Sequence, residues 1–326
     1  TMIHTAICDL LGIEHPIVLG GMGGGYTQSS MVAAVSNAGG LGTLGCHGRD
    51  GDQIAKDAAD IRSATNQPFA LNFLLFATDE EAFGAAIETR PAVLSYAWPK
   101  GDQDIQPYVR RAHDAGARVT YMAGSVAEAR RGADAGADII VAQGSEGGGH
   151  VSWMASLVLT PLIVDAVAPI PVLAAGGIAD GRGLAAALAL GADGVLLGTR
   201  FLASDESPLH DNFKQAIVAS DGHDTALSEI PDLATGTVWP GAMSRSGRNR
   251  LIERWSGREW ELRQNQAEVL AGIVAARRAG DIEEAPLSYG QDAGLIDAVS
   301  PAGDIVRQIA SDAEQILSER LPGLVQ

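Results

Sequence analysis

The chain has 326 residues, 46% hydrophobic and 19% charged, with a mean hydropathy of +0.08. That is enough to bury a large α/β core and too apolar for a disordered segment. Its 40 acidic against 23 basic residues give a net charge of −17, which sets nucleic acid and anionic membrane surfaces aside as partners. No apolar run reaches the ~18 residues a membrane span needs. Residues 2–9 lack the basic and apolar regions of a signal peptide. Two cysteines, Cys8 and Cys46, are too few for a secreted disulfide scaffold, so a cytoplasmic location is expected. Thr1, ahead of Met2, reads as an added residue.

In chain order, apolar runs at 16–19, 41–44, 69–74, 92–96, 118–122, 139–142, 170–174 and 194–197 read as buried parallel strands. Helical segments at 29–38, 51–64, 79–88, 105–115, 125–135, 154–167 and 181–190 lie between them. One joint recurs where a helix gives way to a strand, around Gly39, Gly116, Gly136 and Gly191. Each glycine stands where a helix takes a left-handed C-terminal residue. A doubly wound sheet would show the same joint, but eight successive units favour a closed (β/α)8 TIM barrel. After Leu202 the character changes. Residues 203–290 carry helical stretches at 212–219 and 258–278, with a Gly-, Pro- and Ser-rich loop at 231–247. The expected fold is therefore an α/β barrel of 1–202 and 291–326, closed by a helix at 301–320. Residues 203–290 form a helical lid on the substrate side.

In such a barrel the chemistry lies at the C-terminal ends of the strands. The first strand ends in Gly20-Gly21-Met22, the third in Asn72-Phe73 and the sixth in Gln143-Gly144-Ser145-Glu146-Gly147-Gly148-Gly149-His150. The seventh ends in Gly176-Gly177 and the eighth in Gly198-Thr199. The last two bare their backbone N–H groups. With a helix opening near Asp180-Gly181 they form an anion cradle. The glycines after the first and sixth strands suit a flat ring against backbone, and Asn72 either bonds such a ring or closes its own loop. A phosphate plus a planar ring points to flavin mononucleotide, FMN.

Other chemistries fail on inventory. None of the three lysines, Lys56, Lys100 and Lys214, ends a strand, which disfavours Schiff-base chemistry. No cluster of Asp, Glu and His converges at strand ends, so no metal is expected. The G-x-G-x-x-G string at Gly40, Gly42 and Gly45 runs through the second strand and precedes no helix. His150 ends the Gly-rich loop at the barrel mouth, where an imidazole can move a proton near neutral pH. His47 sits in a similar loop and reads as solvated surface, Glu146 as a loop cap. Trp239, Trp255 and Trp260 read as lid packing in preference to a substrate cage.

These strand-end motifs, with Ala175-Gly176-Gly177-Ile178-Ala179-Asp180-Gly181 and Gly290-Gln291-Asp292-Ala293-Gly294-Leu295-Ile296, resemble the nitronate monooxygenase family across nearly the whole chain. The resemblance implies an FMN-containing TIM barrel. Gly21, Met22, Asn72, Gln143 and Gly148 would contact the flavin, and Gly176, Gly177, Gly198 and Thr199 would hold its phosphate. His150 would remove the α-proton of a nitroalkane; the nitronate would give an electron to the flavin, and O2 would complete conversion to a carbonyl compound and nitrite. The same sequence block occurs in NAD(P)H-dependent enoyl-acyl-carrier-protein and quinone reductases, so fold and cofactor leave the reaction open. A carrier protein would need a basic patch, for which Arg245, Arg248, Arg250, Arg254 and Arg258 are the candidates. A non-catalytic flavin-binding protein is the remaining alternative, and a homodimer is a further expectation.

Overall fold

Strand alternation builds the barrel. A computed structural model describes residues 2–324; Thr1 and the last two residues of the 291–326 segment lie outside it. The strands among the described residues are β1 (Ile17–Leu19), β2 (Gly42–Gly45), β3 (Phe69–Leu74), β4 (Val93–Ala97), β5 (Arg118–Ala123), β6 (Ile139–Gln143), β7 (Gly149–Val151), β8 (Val172–Ala175), β9 (Gly194–Leu197), β10 (Thr225–Ser228) and β11 (Met243–Gly247). Strands β1 to β6, β8 and β9 form one parallel sheet in the order β1-β9-β8-β6-β5-β4-β3-β2. It closes where Leu41 N–H donates to Ile17 O and Leu19 N–H to Leu41 O, both at 2.9 Å. The expected (β/α)8 barrel is the observed architecture.

Along each strand one set of residues faces the barrel axis and the other the helices. Val18, Ala70, Val93, Ile139, Val141, Leu173 and Leu196 make the inner cluster. Leu19, Leu44, Leu71, Leu94, Val119, Ile140 and Val195 pack outward against helix residues such as Val32, Ile61 and Phe83. A helix the sequence reading missed, Ala6–Leu11, joins the inner cluster through Ile7 and Leu11. It plugs the N-terminal end of the barrel, so only the opposite end is open to ligand. Each such buried Ile or Leu adds roughly 1.5–3 kcal/mol relative to exposure. The joint glycines behave as expected: Gly39, Gly116, Gly136 and Gly191 have φ of +87°, +84°, +94° and +90°, where a side chain costs roughly 1–2 kcal/mol.

The insertion departs from the all-helical expectation. Strands β10 and β11 pair antiparallel with each other, and β11 pairs with β7 from the sixth barrel loop. The supposed loop at 231–247 holds β11 and most of the helix Ile230–Thr235. The single helix expected at 258–278 is two, Glu259–Gln264 and Gln266–Ala279, broken at Asn265. Strand β11 escaped notice because its buried residues are polar: Ser244, Arg245 and Ser246. Arg245 donates to Ser145 O at 2.9 Å and to Thr225 Oγ1 at 3.0 Å, which replaces the water it loses. No helix among the described residues is long and apolar enough to cross a membrane.

Candidate active site

The open end of the barrel holds a cleft of about 360 Å³, within the size range of small-molecule sites. Gly21, Met22, Asn72, Gln143, Gly148, His150, Gly176, Gly198 and Thr199 all line it. Gly177 is the predicted residue that does not line it; its Cα faces Glu146, whose Cβ would lie 3.1 Å from a side chain there.

Close approach explains Gly21 and Gly148. A Cβ on Gly21 would lie 2.3 Å from Asn72 Cβ, and one on Gly148 would lie 2.5 Å from the backbone nitrogen of Gly290. The Asn72 amide donates to the backbone oxygen and the hydroxyl of Ser95, both at 3.2 Å, so β4 fixes its orientation. Thr199 Oγ1 accepts from Gly290 N–H at 2.9 Å, tying the end of β9 to the returning chain.

The FMN implied by the sequence fits this cleft on several observations. Gln143 Oε1 and Asp292 Oδ1 are buried and meet no hydrogen-bond partner among the described residues, an arrangement that costs free energy unless a ligand or water supplies one. The N–H of Gly198, which lines the cleft, and that of Gly177 just beyond it meet no protein acceptor among the described residues. Thr199 opens the short helix Thr199–Leu202, whose first N–H groups lack intrahelical partners. Gly198 is the telling position. Its φ of −113° suits any residue, and a Cβ there would meet Met22 Sδ alone, at 3.8 Å. The fold itself does not require glycine here, and the space over Gly198 stays open to a bound group. Gly198→Ala is therefore expected to unfold within about 0.5 kcal/mol of the wild type yet bind FMN at least about tenfold more weakly, checked by denaturation and by flavin fluorescence titration.

One expected part of the cradle is corrected. The helix Gly181–Ala189 does open after β8, but the Asp180 carboxylate accepts from the N–H groups of Arg182 and Gly183. These N–H groups are already taken by the Asp180 carboxylate, whose charge the Arg182 guanidinium pairs, so they are not open to a ligand anion. The free donors lie instead at Gly177, Gly198 and Thr199.

His150 lies on β7 opposite Ser244 of β11, so the insertion sets its surroundings. Its Nε2 is 2.8 Å from Asp232 Oδ1, with the two side chains 18% and 13% exposed. The Trp239 indole stacks on the imidazole at 3.4 Å between centroids, with 11° between the planes. Trp239 also packs on Phe76 and Trp98. The lid-packing reading thus holds for Trp255, buried in the insertion's own core, and fails for Trp239, which is part of the cleft; Trp260 is 62% exposed. His47, read as surface, lines the same cleft. Burial and then the nearby His150 lower its pKa, which favours a neutral imidazole.

Other side chains are settled by their contacts. The Glu146 carboxylate accepts from the N–H and hydroxyl of Ser156 at 3.0 Å, capping the helix Ser156–Val167 from the sixth loop, as expected of a loop cap. Burial pushes the Cys46 thiol up to about 12, so it is no nucleophile. The arginine cluster is not a free basic patch. Arg245 is buried, Arg250 and Arg254 pair with Glu284, and Arg258 pairs with Glu261; of the five, Arg248 alone is exposed and unpaired among the described residues. Asp292 was missed altogether. Burial pushes its carboxyl up to about 7, against the pull of its own N–H and the Thr199 hydroxyl, and the Glu146 charge adds to the rise.

A plugged parallel barrel with a carboxylate-paired histidine at its open end defines an enzyme of the TIM-barrel class. Comparison with known proteins narrows this. The nitronate monooxygenase family model matches residues 4–106 and 86–312. A (3aS,4S,5R,7aS)-5-hydroxy-7a-methyl-1-oxo-octahydro-1H-indene-4-carboxyl-CoA dehydrogenase of Mycobacterium tuberculosis is 33% identical, over 95% of this chain and 96% of its own. A probable nitronate monooxygenase of Staphylococcus aureus is 31% identical, over 95% and 98%. Among solved structures, FabK from Thermotoga maritima superposes with a TM-score of 0.87 at 35% identity, covering 99% of this chain and 100% of that one. The chain belongs to the nitronate monooxygenase family and is an oxidoreductase.

Proposed function

We propose that this oxidoreductase binds FMN and oxidises nitroalkanes and alkyl nitronates with O2 to a carbonyl compound and nitrite. The observation that carries the reading is the His150–Asp232 pair, 2.8 Å apart at the mouth of the barrel. With the carboxylate accepting from Nε2–H, Nδ1 is left as the ring's proton acceptor. Asp232 also stabilises the imidazolium formed when the ring takes the α-proton of a nitroalkane, as an orienting carboxylate does in other His-based sites. Trp239 blocks one ring face, which restricts imidazole rotation and keeps water from that side.

Gly21, Met22, Asn72, Gln143 and Gly148 would contact the flavin ring system, and Gly176, Gly177, Gly198 and Thr199 its phosphate. Bound FMN would supply the electron acceptor that no side chain of the cleft provides. Both cysteines are buried free thiols, which suits a reducing cytoplasm.

A second reading is favoured by two observations. One is the likeness to a CoA-thioester dehydrogenase. The other is Arg277, exposed on the rim of the cleft and paired with no carboxylate among the described residues, where it suits a phosphate-bearing substrate tail. The carbon next to a thioester is also a carbon acid, so His150 keeps its role. With Arg250, Arg254 and Arg258 paired and Arg245 buried, Arg248 alone is left to meet an acidic carrier protein, which argues against one as the donor of that thioester.

Anaerobic mixing separates the readings. The purified protein is expected to be yellow and to release FMN on denaturation; a protein that rejects FMN overturns both. Bleaching of the flavin's visible absorption by a nitronate and not by NADPH or an acyl-CoA supports the first. The reverse pattern supports the second.

A further inference from the structure

His47 is the second histidine of the cleft, and the proposed reaction has not yet used it. It follows β2, where Cys46 N–H donates to Asn72 O at 2.9 Å and Arg49 N–H closes a turn on Cys46 O at 3.0 Å. Gly48 takes the left-handed φ of +84° within that turn. The Arg49 guanidinium donates to Gly45 O, Thr27 O and the Asp57 carboxylate, which pins the loop to the barrel. A Cβ on Gly23, after β1, would lie 3.1 Å from His47 Cβ, so the two loops are packed together. The half-buried imidazole itself makes no side-chain hydrogen bond or ion pair among the described residues.

The ring stands in a shared wall. It lines the cleft together with His150 and Trp239, and it also lines a second cavity of about 510 Å³. That cavity is polar, with Gln28, Ser29, Ser30, Arg49, Asp57 and Asp60 around it. Gln28, Ser30 and Asp60 are exposed, so it opens to water. Of the seven histidines, His47 and His150 alone line the cleft.

Proton balance gives such a wall a use. On the nitroalkane reading, on which this inference rests, a nitroalkane and half an O2 give a carbonyl compound, nitrite and a proton. The C–H bond breaks heterolytically: its proton goes to His150, and its electron pair stays on the nitronate, which is oxidised as O2 is reduced. Each turnover leaves on His150 a proton that must reach solvent before the next. Asp232 holds Nε2 and Trp239 covers one ring face, so a proton taken on Nδ1 leaves through the cleft.

We propose that His47 relays this proton from His150 to the second cavity. An N–H bond breaks on His150 and one forms on a ring nitrogen of His47, while the other nitrogen of His47 gives its proton to cavity water; no electron changes hands. A relay must be neutral at rest to accept, and burial, then the His150 charge, hold the His47 pKa below its ordinary value. The other charges around it are already paired: Arg49 with Asp57 at 2.8 Å, Asp60 with Lys56 at 2.6 Å, and Asp232 with His150 itself. Cys46 beside it and Tyr26 in the cleft bring no formal charge at neutral pH.

Kinetics in a dilute buffer too bulky for the cleft give the first test. In His47→Gln, kcat for a nitroalkane is expected to fall at least about tenfold. Its kcat/KM, which covers the steps before His150 must be cleared, is expected to stay within about twofold. Imidazole at tens of millimolar should restore kcat. A preformed nitronate brings no α-proton and should lose less than about twofold. A loss that falls on kcat/KM and ignores imidazole would make His47 a substrate contact and overturn the relay, and an unchanged kcat does so equally. The second test needs no turnover. By NMR of the purified protein, the His47 ring, assigned by its absence in His47→Gln, is expected to titrate at higher pH in His150→Asn than in the wild type, because the neighbouring charge is gone. No movement overturns the relay whatever the substrate proves to be. A wild type that oxidises no nitroalkane overturns the nitroalkane reading instead, and this titration then decides the relay.

Discussion

His150→Asn is expected to lower kcat/KM for a neutral nitroalkane by roughly 10²–10⁴-fold, the usual cost of losing a positioned base. The same substitution is expected to cost a preformed nitronate less than about tenfold, because that substrate has already lost its α-proton. Asn fills much of the imidazole's volume and keeps polarity under Trp239, so the difference between the two substrates isolates proton transfer from packing. Asp232 is a positioning residue, and its variants should show it. In Asp232→Asn the amide oxygen still accepts from Nε2–H, but the charge that stabilises the imidazolium is gone. The nitroalkane rate is expected to fall by roughly 10–10²-fold, with the nitronate rate nearly unchanged. Asp232→Glu should recover part of the loss. Steady-state rates against pH on both substrates make the measurement, and equal losses on the two would remove His150 from the base role.

The partnership behind that prediction was only half legible in the sequence. His150 was legible because its loop is local: a strand, a run of glycines and an imidazole are contiguous, and barrel geometry puts such a loop at the open end. Asp232 stands 82 residues away in a stretch whose Gly, Pro and Ser content reads as loop. It reaches His150 only because β11 pairs with β7, and β11 is a strand whose buried residues are serine and arginine. Apolar alternation cannot reveal such a strand. The joint glycines were readable because a left-handed residue at a helix end is a single-residue requirement. Helix Ala6–Leu11 was not, because its role is set by the barrel end it plugs. The proposed phosphate cradle is a third case. The donors at Gly177, Gly198 and Thr199 follow from backbone alone, but the helix after Asp180 was discounted only once the Asp180 side chain was seen to fold back on it.

Asp292 carries the other large expectation. An ordinary Asp carboxyl titrates near 3.9; in the fold, burial raises this one to about 7. Between those two values the folded state holds a proton that the unfolded chain has released. The stability linked to this group is therefore fully present below pH ~4, falls by about 1.4 kcal/mol per pH unit, and is gone above pH ~7. Asn keeps the shape and cannot ionise, so Asp292→Asn removes the slope. Between pH 5 and pH 8 the wild type is expected to lose about 3 kcal/mol relative to the variant, read from urea midpoints at the two pH values. A relative change under about 0.5 kcal/mol would show that the carboxyl ionises freely in the fold. The same proton bears on the proposed cofactor. A neutral Asp292 beside Thr199 donates a hydrogen bond and does not repel phosphate, whereas the ionised form does both the opposite. FMN affinity should therefore weaken through pH ~7 in the wild type and stay level in Asp292→Asn. Riboflavin, which has no phosphate, should show no such step in either protein, and a step of equal size for riboflavin would place Asp292 against the ring and not the phosphate.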